Sequence, residues 1–166
     1  MATNANETLD RTLRHMAWAN GRAFAILAEL PREALDVVPA GSTWSVGETL
    51  AHLVAAAEAY ARTLAGGPRP AERPTPTSGD EVRALAPILA AADETIRIAA
   101  LEPGEAILTW TGSDGSTRTN WRWVVVAQAV HHATEHRAQI AGALAAAGRT
   151  SIDLDAIDVW AYAEEL

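Results

Sequence analysis

The sequence predicts an all-α protein: a four-helix bundle with a long crossover after the second helix and a small hairpin-like insert before the fourth. Three observations carry that expectation. The chain of 166 residues is 49% hydrophobic but only 5% aromatic, and it is rich in alanine. Alanine combines the highest helix propensity with little volume, which favours closely packed helices over a Val/Ile-rich sheet. Apolar residues recur at spacings of three and four along separate segments, the period of one helical face. A proline-dense stretch then separates the second segment from the third. The length suits a single domain, residues 1–166, with a core of its own.

The first segment carries Leu9, Leu13, Met16, Ala23, Leu27 and Leu30 on one face, with Asn20 filling the gap, and Pro31 is expected to stop it. A loop of Pro, Gly and Ser follows over residues 38–43. Ser45 precedes Glu48 by three, the capping-box spacing, so a second helix should begin between residues 44 and 46. Val46, Leu50, Leu53, Ala57, Tyr60 and Leu64 form its stripe, and Gly66 and Gly67 end it.

Residues 67–79 contain Pro68, Pro70, Pro74 and Pro76, which fix φ and remove donors, so this is an extended connection. A second capping box, Ser78 with Glu81, opens a third helix to about Leu101, with Pro87 expected to kink it or mark a late start. In residues 105–122 the pattern changes. Ile107 to Trp110 and Thr117 to Trp123 flank Gly112, Ser113, Asp114 and Gly115. An Asp-Gly pair between β-formers predicts a short hairpin, marginal alone and therefore expected to lie on the helices. From Trp123 to Ala147 the chain is apolar on nearly every face except around Glu135 and Arg137. That pattern predicts a central helix stopped by Gly148. A last short helix over residues 153–166 carries Ile157, Trp160 and Tyr162.

The formal net charge is −8 and the chain contains no cysteine. Basic residues are scattered singly, so a phosphate-binding surface is not expected and nucleic acid is excluded as a partner. Without thiols, disulfides, thiolate metal sites and a cysteine nucleophile are all excluded. Any metal must be held by His, Asp, Glu or backbone oxygens. The first ten residues are polar and lack the pattern of a secretory signal, and no apolar run approaches bilayer length. The expectation is a soluble cytoplasmic protein with no membrane association.

Of five histidines, three fall close together: His131, His132 and His136. A fourfold spacing puts His132 and His136 side by side on one helical face, a common arrangement for imidazole ligands. That face continues through Val125, Ala129, Gln139 and Ala143, small residues that leave room for a ligand and a facing helix. His131 is turned about 100° from His132 and is assigned to the core or to support of the ligands. His52, in the second helix, is the obvious third ligand, although it sits on the flank of its helix and periodicity alone makes it a boundary residue. His15 reads as a surface or boundary histidine. His132 to His136 also fits the inverted zinc-protease pattern H-x-x-E-H, with Glu135 as the base. That class needs a further acidic ligand well downstream and a cleft beside a sheet, for which little chain remains after Gly148.

The sequence resembles the DinB-like metal-binding four-helix bundles, part of a thiol S-transferase-like superfamily. The residues that carry the resemblance are Thr43-Trp44-Ser45-Val46-Gly47-Glu48 leading to Ala51-His52-Leu53, and the late run from His132 and Glu135 through His136, Arg137, Ala138, Gln139 and Ile140. The family pattern is a Trp-Ser helix start, a histidine about two turns on, and a late H-x-x-x-H-R-x-Q-[ILV]. The long crossover, the hairpin-like insert and the closing segment before Trp160 and Tyr162 also agree. One departure is Ala138, where many members have Gly. The resemblance implies an up-down-down-up bundle and a mononuclear metal site on His52, His132 and His136, holding a divalent ion such as nickel, zinc or iron. It further implies a homodimer, and an activity like that of relatives using low-molecular-weight thiols such as bacillithiol or mycothiol.

Three imidazoles leave coordination positions open, the mark of a catalytic rather than a structural site. The leading expectation is a divalent-metal-dependent transferase that joins a small-molecule thiol to an electrophilic substrate, in detoxification or stress response. A non-catalytic metal-binding or sensor module and a metallohydrolase are the alternatives. Glu135 and Arg137 receive no catalytic role. Arg137 points about 100° away from the ligand it follows and is expected to pair with a helix neighbour or the chain end.

Overall fold

The four expected helical segments become four long helices in a computed structural model, which describes residues 5–112, 114–149 and 152–166. Ser113 of the predicted turn and the first four residues of the polar N-terminal stretch lie outside these. In order, the elements are α1 (Ala5–Leu27), a short α2 (Arg32–Leu35), α3 (Val46–Ala65), α4 (Gly79–Ala100), β1 (Ile107–Thr111), β2 (Thr117–Trp121), α5 (Arg122–Ala146), a 3-10 turn (Asp155–Ile157) and α6 (Val159–Glu164).

Contacts between the helices fix their directions. Glu29, Asn20 and Asp10 on the α1 side meet Arg83, Asp93 and Arg97 of α4 in that order, so α1 and α4 are antiparallel. Gly47 at the start of α3 packs against the Pro76 carbonyl just before α4, so those two run parallel. His52 lies beside His132 and His136, whereas Tyr60, two turns later, lies beside His132 and bonds Gln128. Helices α3 and α5 are therefore antiparallel, and the bundle is up-down-down-up. The proline-rich connection is what allows α3 and α4 to run parallel, because it carries the chain back over the bundle's length.

One hydrophobic cluster joins all four helices, with Leu13, Met16, Phe24 and Leu27 of α1, Leu50, Leu53 and Val54 of α3, Val82, Leu89 and Ile96 of α4, and Val126, Ile140 and Leu144 of α5. Each such side chain contributes on the order of 1.5–3 kcal/mol by leaving water. The Ser45 capping box at α3 is complete: Ser45 Oγ accepts from the Glu48 amide and Glu48 Oε2 accepts from the Ser45 amide. Gly66, at φ 80°, closes the same helix in the left-handed region. At α4 only half the box forms. Ser78 Oγ accepts from the Glu81 amide, while the Glu81 carboxylate reaches one residue further, to the Thr77 amide and hydroxyl. Gly79 opens α4 where a Cβ would stand 2.0 Å from the Ala28 carbonyl oxygen, so the absence of a side chain permits this close approach of α4 to the end of α1.

Several expectations are corrected. Helix α1 ends at Leu27 rather than at Pro31. Glu29 and Leu30 bond back to the carbonyls of Ile26 and Leu27, a tightened last turn forced because the residue before a proline is driven out of the α region. Pro31 then caps α2, which had no stripe long enough to announce it. Pro87 does not mark a late start: α4 begins at Gly79 and runs through it. Helix α5 is not central. Trp123, Gln128, His131, Glu135, Ala138 and Gly142 line an exposed side, and alanine blurs the pattern because it suits either environment. The hairpin forms with Thr109 opposite Thr119, yet only Leu108 and Trp110 of β1 turn partly inward and β2 is exposed throughout. At the C-terminus Ile157 buries against Ala19 and Ala23 of α1, and Tyr162 packs on Trp18 and His15. No helix among the described residues is long and apolar enough to cross a membrane.

Candidate metal centre

The capped start of α3 sets the position of His52, two turns in, and α5 presents His132 and His136 one turn apart opposite it. The structure brings all three together: one ligand nitrogen from each lies within 4.8 Å of the others. His132 Nε2 stands 3.0 Å from His52 Nε2 and 3.0 Å from His136 Nε2. His136 is buried, while His52 and His132 remain partly exposed. The flank position of His52 is what the geometry requires, since the stripe itself points to the core and the flank points along the seam with α5.

The orientation of these rings has an identifiable cause. His136 Nδ1–H donates to Gln139 Oε1 at 2.7 Å, which leaves the Nε2 lone pair facing the other two imidazoles. With His136 Nε2 unprotonated and at most one proton on His132 Nε2, at least one of these two close approaches lacks a hydrogen bond of its own. Such a convergence is relieved by a shared cation. Nitrogens about 2.0–2.1 Å from one shared ion stand roughly 3–3.4 Å apart, close to the 3.0 Å of two of the three pairs. Burial lowers the pKa of His52, with a smaller contribution from His136. Burial, then His136 and His52, lower that of His132 to about 4. Both therefore stay neutral and available as donors at neutral pH. The residues present fit a divalent metal.

Aromatic rings frame the cluster. Trp44, 41% exposed, packs on His52 with ring centroids 4.6 Å apart, and Tyr60 meets His132 edge-on at 5.7 Å. Burial raises the Tyr60 pKa; its bond with Gln128 opposes this and the Glu135 charge adds to it. His131 is exposed, so it belongs neither to the core nor to the cluster. His15 is partly buried and reaches the Ile157 carbonyl at 3.1 Å, which makes it a tether for the C-terminal segment. Glu135 is exposed, and no carboxylate joins the histidine cluster among the described residues.

Sequence reasoning missed a buried polar network directly behind the histidines. Arg137, 5% exposed, donates to Asn20 Oδ1 at 2.5 Å and to Thr134 Oγ1 at 3.2 Å. Asn20 Nδ2 in turn donates to Asp93 Oδ2 at 2.9 Å, and Asp93 is only 2% exposed. The expected helix-neighbour partner of Arg137 is thus Thr134, but its main engagement crosses to α1. Burial raises the Asp93 pKa from 3.8 to about 6, against the Asn20 hydrogen bond and the Arg137 charge, which both lower it. The signal was present in the sequence: Asn20 interrupts the α1 stripe, and Asp93 follows Leu85 and Leu89 on the buried face of α4. Polar residues at core positions announce a partner without naming it.

A family model, that of the DinB family, matches residues 1–165. No curated protein and no solved structure matches the chain.

Proposed function

Because the chain belongs to the DinB family, with the match running over residues 1–165, we propose that His52, His132 and His136 bind one divalent ion, nickel, zinc or iron, in a transferase that uses a small thiol. The observation that carries this reading is the convergence of three imidazole nitrogens, two pairs of them at 3.0 Å. When bound, the ion would supply a Lewis-acidic centre with open positions, able to lower the pKa of a small thiol. The chain's own residues do the rest. Gln139 holds the His136 tautomer, burial keeps His52 and His132 neutral, and the partly exposed side of the cluster beside Trp44 admits the reactants. A chain with no cysteine takes its nucleophile from a cosubstrate of the bacillithiol or mycothiol type, and attack on an electrophile suits detoxification in the cytoplasm.

The test is conjugation of a generic electrophile with bacillithiol, mycothiol, glutathione and cysteine in parallel. Metal-loaded protein is expected to accelerate one thiol below pH ~8.5, where free thiol is mostly protonated, and His136→Ala should abolish the gain. Absence of acceleration with every thiol, in metal-loaded protein, would overturn the transferase reading. A metallohydrolase or a non-catalytic metal module would then account for the site.

The proposal extends to a homodimer. Trp121 is 47%, Trp123 58% and Ile107 60% exposed, and Ile107 pairs with Trp121 across the hairpin. Adjacent exposed aromatic and aliphatic surface of this kind suits an interface. Light scattering should give twice the chain mass at micromolar concentration, and Trp121→Glu with Trp123→Glu should return the monomer. Monomer mass across a wide concentration range would refute it.

A further inference from the structure

A small cavity lies between the histidine cluster and the buried polar network. Its volume is about 10 Å³, and its polar lining comes from Asn20, Tyr60, Asp93 and His132. That is room for about one water, which needs two to four polar partners to be held there. Two groups bordering it lack a protein partner among the described residues. Asp93 accepts from Asn20 through Oδ2 alone, leaving Oδ1 without a donor. The His132 contacts use Nε2 alone, leaving Nδ1 free. A buried polar atom without a partner costs about 1–3 kcal/mol, more if charged, so Oδ1 of the 2%-exposed Asp93 calls for an occupant, and His132 lines the same cavity. A second cavity of about 20 Å³ also touches Asp93, but it is otherwise lined by Asn20 and apolar residues such as Phe24 and Leu89. Only the first offers a second group to be satisfied.

We propose that Asp93 is a positioning residue for the metal centre, acting through one internal water that accepts from His132 Nδ1–H and donates to the Asp93 carboxylate. The bridge does for His132 what Gln139 does for His136: it keeps the proton on Nδ1 and aims the Nε2 lone pair at the other imidazoles. Arg137 and Asn20 hold the carboxylate in place from the far side. Arg137 follows His136 directly, so the network ties α1 and α4 to the same turn of α5 that carries a ligand. The inference rests on the metal-binding reading above for its purpose, although the bridge itself needs no metal.

The experiment is imidazole ¹⁵N spectroscopy on zinc-free and zinc-loaded protein, with zinc affinity measured by chelator competition for wild type, Asp93→Asn and Asp93→Leu. In zinc-free wild type, His132 should carry its proton on Nδ1, exchange slowly and show a cross-peak to a long-lived water. Asp93→Leu should lose that cross-peak while the Nδ1–H of His136 is unchanged. Zinc affinity should fall about 10-fold in Asp93→Asn and about 100-fold in Asp93→Leu, the range typical of groups that orient a ligand. Asp93→Asn removes the buried charge and retains the shape, so it keeps the test open if the leucine variant does not fold. A His132 protonated on Nε2 without zinc, or an unchanged zinc affinity in Asp93→Asn, would overturn the proposal. Concerted loss of the His136 signal would overturn it as well, by showing general disruption. If zinc fails to bind while the His132–water cross-peak is present, the metal reading falls and the bridge stands. If zinc binds through three imidazoles without that cross-peak, the bridge alone falls.

Discussion

Replacing any one of His52, His132 or His136 with alanine is expected to lower metal affinity by more than about 100-fold, beyond what loss of a group that merely orients a ligand produces. The three nitrogens lie within 4.8 Å of one another, so each variant leaves two donors and a gap that no carboxylate among the described residues fills. His15→Ala and His131→Ala should retain full metal content. His15 is engaged with the Ile157 carbonyl at the far end of the chain, and His131 is exposed on another side of α5. Elemental analysis after dialysis against a weak chelator reads all five variants together. Equal loss in the His15 and His52 variants would sink the assignment. The fold itself should persist without metal, because the four helices share a continuous apolar core, unlike a zinc finger that has none.

The second large effect concerns stability. Arg137→Met is expected to cost about 1–3 kcal/mol at neutral pH, the range for leaving a buried polar group without its partner. The loss would leave Asn20 Oδ1 without its donor and the 2%-exposed Asp93 carboxylate without the opposing charge. Asp93 adds a pH signature. Its folded pKa of about 6 lies above the ordinary 3.8, so the fold prefers the protonated form. That contribution is fully present below the unfolded value and is lost as pH rises through about 6. Two units correspond to roughly 3 kcal/mol. Asp93→Asn, which does not titrate, should therefore gain on wild type by up to about 3 kcal/mol between pH ~4 and pH ~7. The Arg137→Met penalty should shrink over the same interval as pH falls. Urea unfolding at both pH values checks both, and a pH-independent difference for Asp93→Asn would contradict the account. A buried carboxylate that costs stability at neutral pH is the kind of group retained at functional sites, which is why a variant more stable yet weaker for metal is the informative one.

The legible parts of this molecule were those in which one residue type has one structural use. Ser45 with Glu48 marked the start of α3 to within two residues, the prolines of residues 67–79 marked the crossover, and Asp114-Gly115 marked the hairpin. Two apolar stripes, the Ser78–Glu81 spacing and the apolar run after Trp123 located four helices, and the fourfold spacing paired His132 with His136. Illegible parts had two physical causes. Alanine is compatible with core and surface, so α5 read as uniformly apolar although one side is exposed. The other cause is that partners distant in sequence cannot be read from spacing: Asn20, Asp93 and Arg137 lie on three helices, and only the folded bundle brings them together. His52 lies between these cases. Periodicity placed it on a flank, family resemblance named it a ligand, and the structure puts its Nε2 3.0 Å from that of His132.

The central claim is that one ion is shared by the three imidazoles, and anomalous diffraction from crystals of zinc- or nickel-loaded protein tests it most directly. The account predicts a single anomalous peak per chain, about 2.0–2.2 Å from Nε2 of His52, His132 and His136 alike, with His136 Nδ1 still bonded to Gln139. A peak that omits any of the three, or metal bound at His15 or His131 instead, would contradict it.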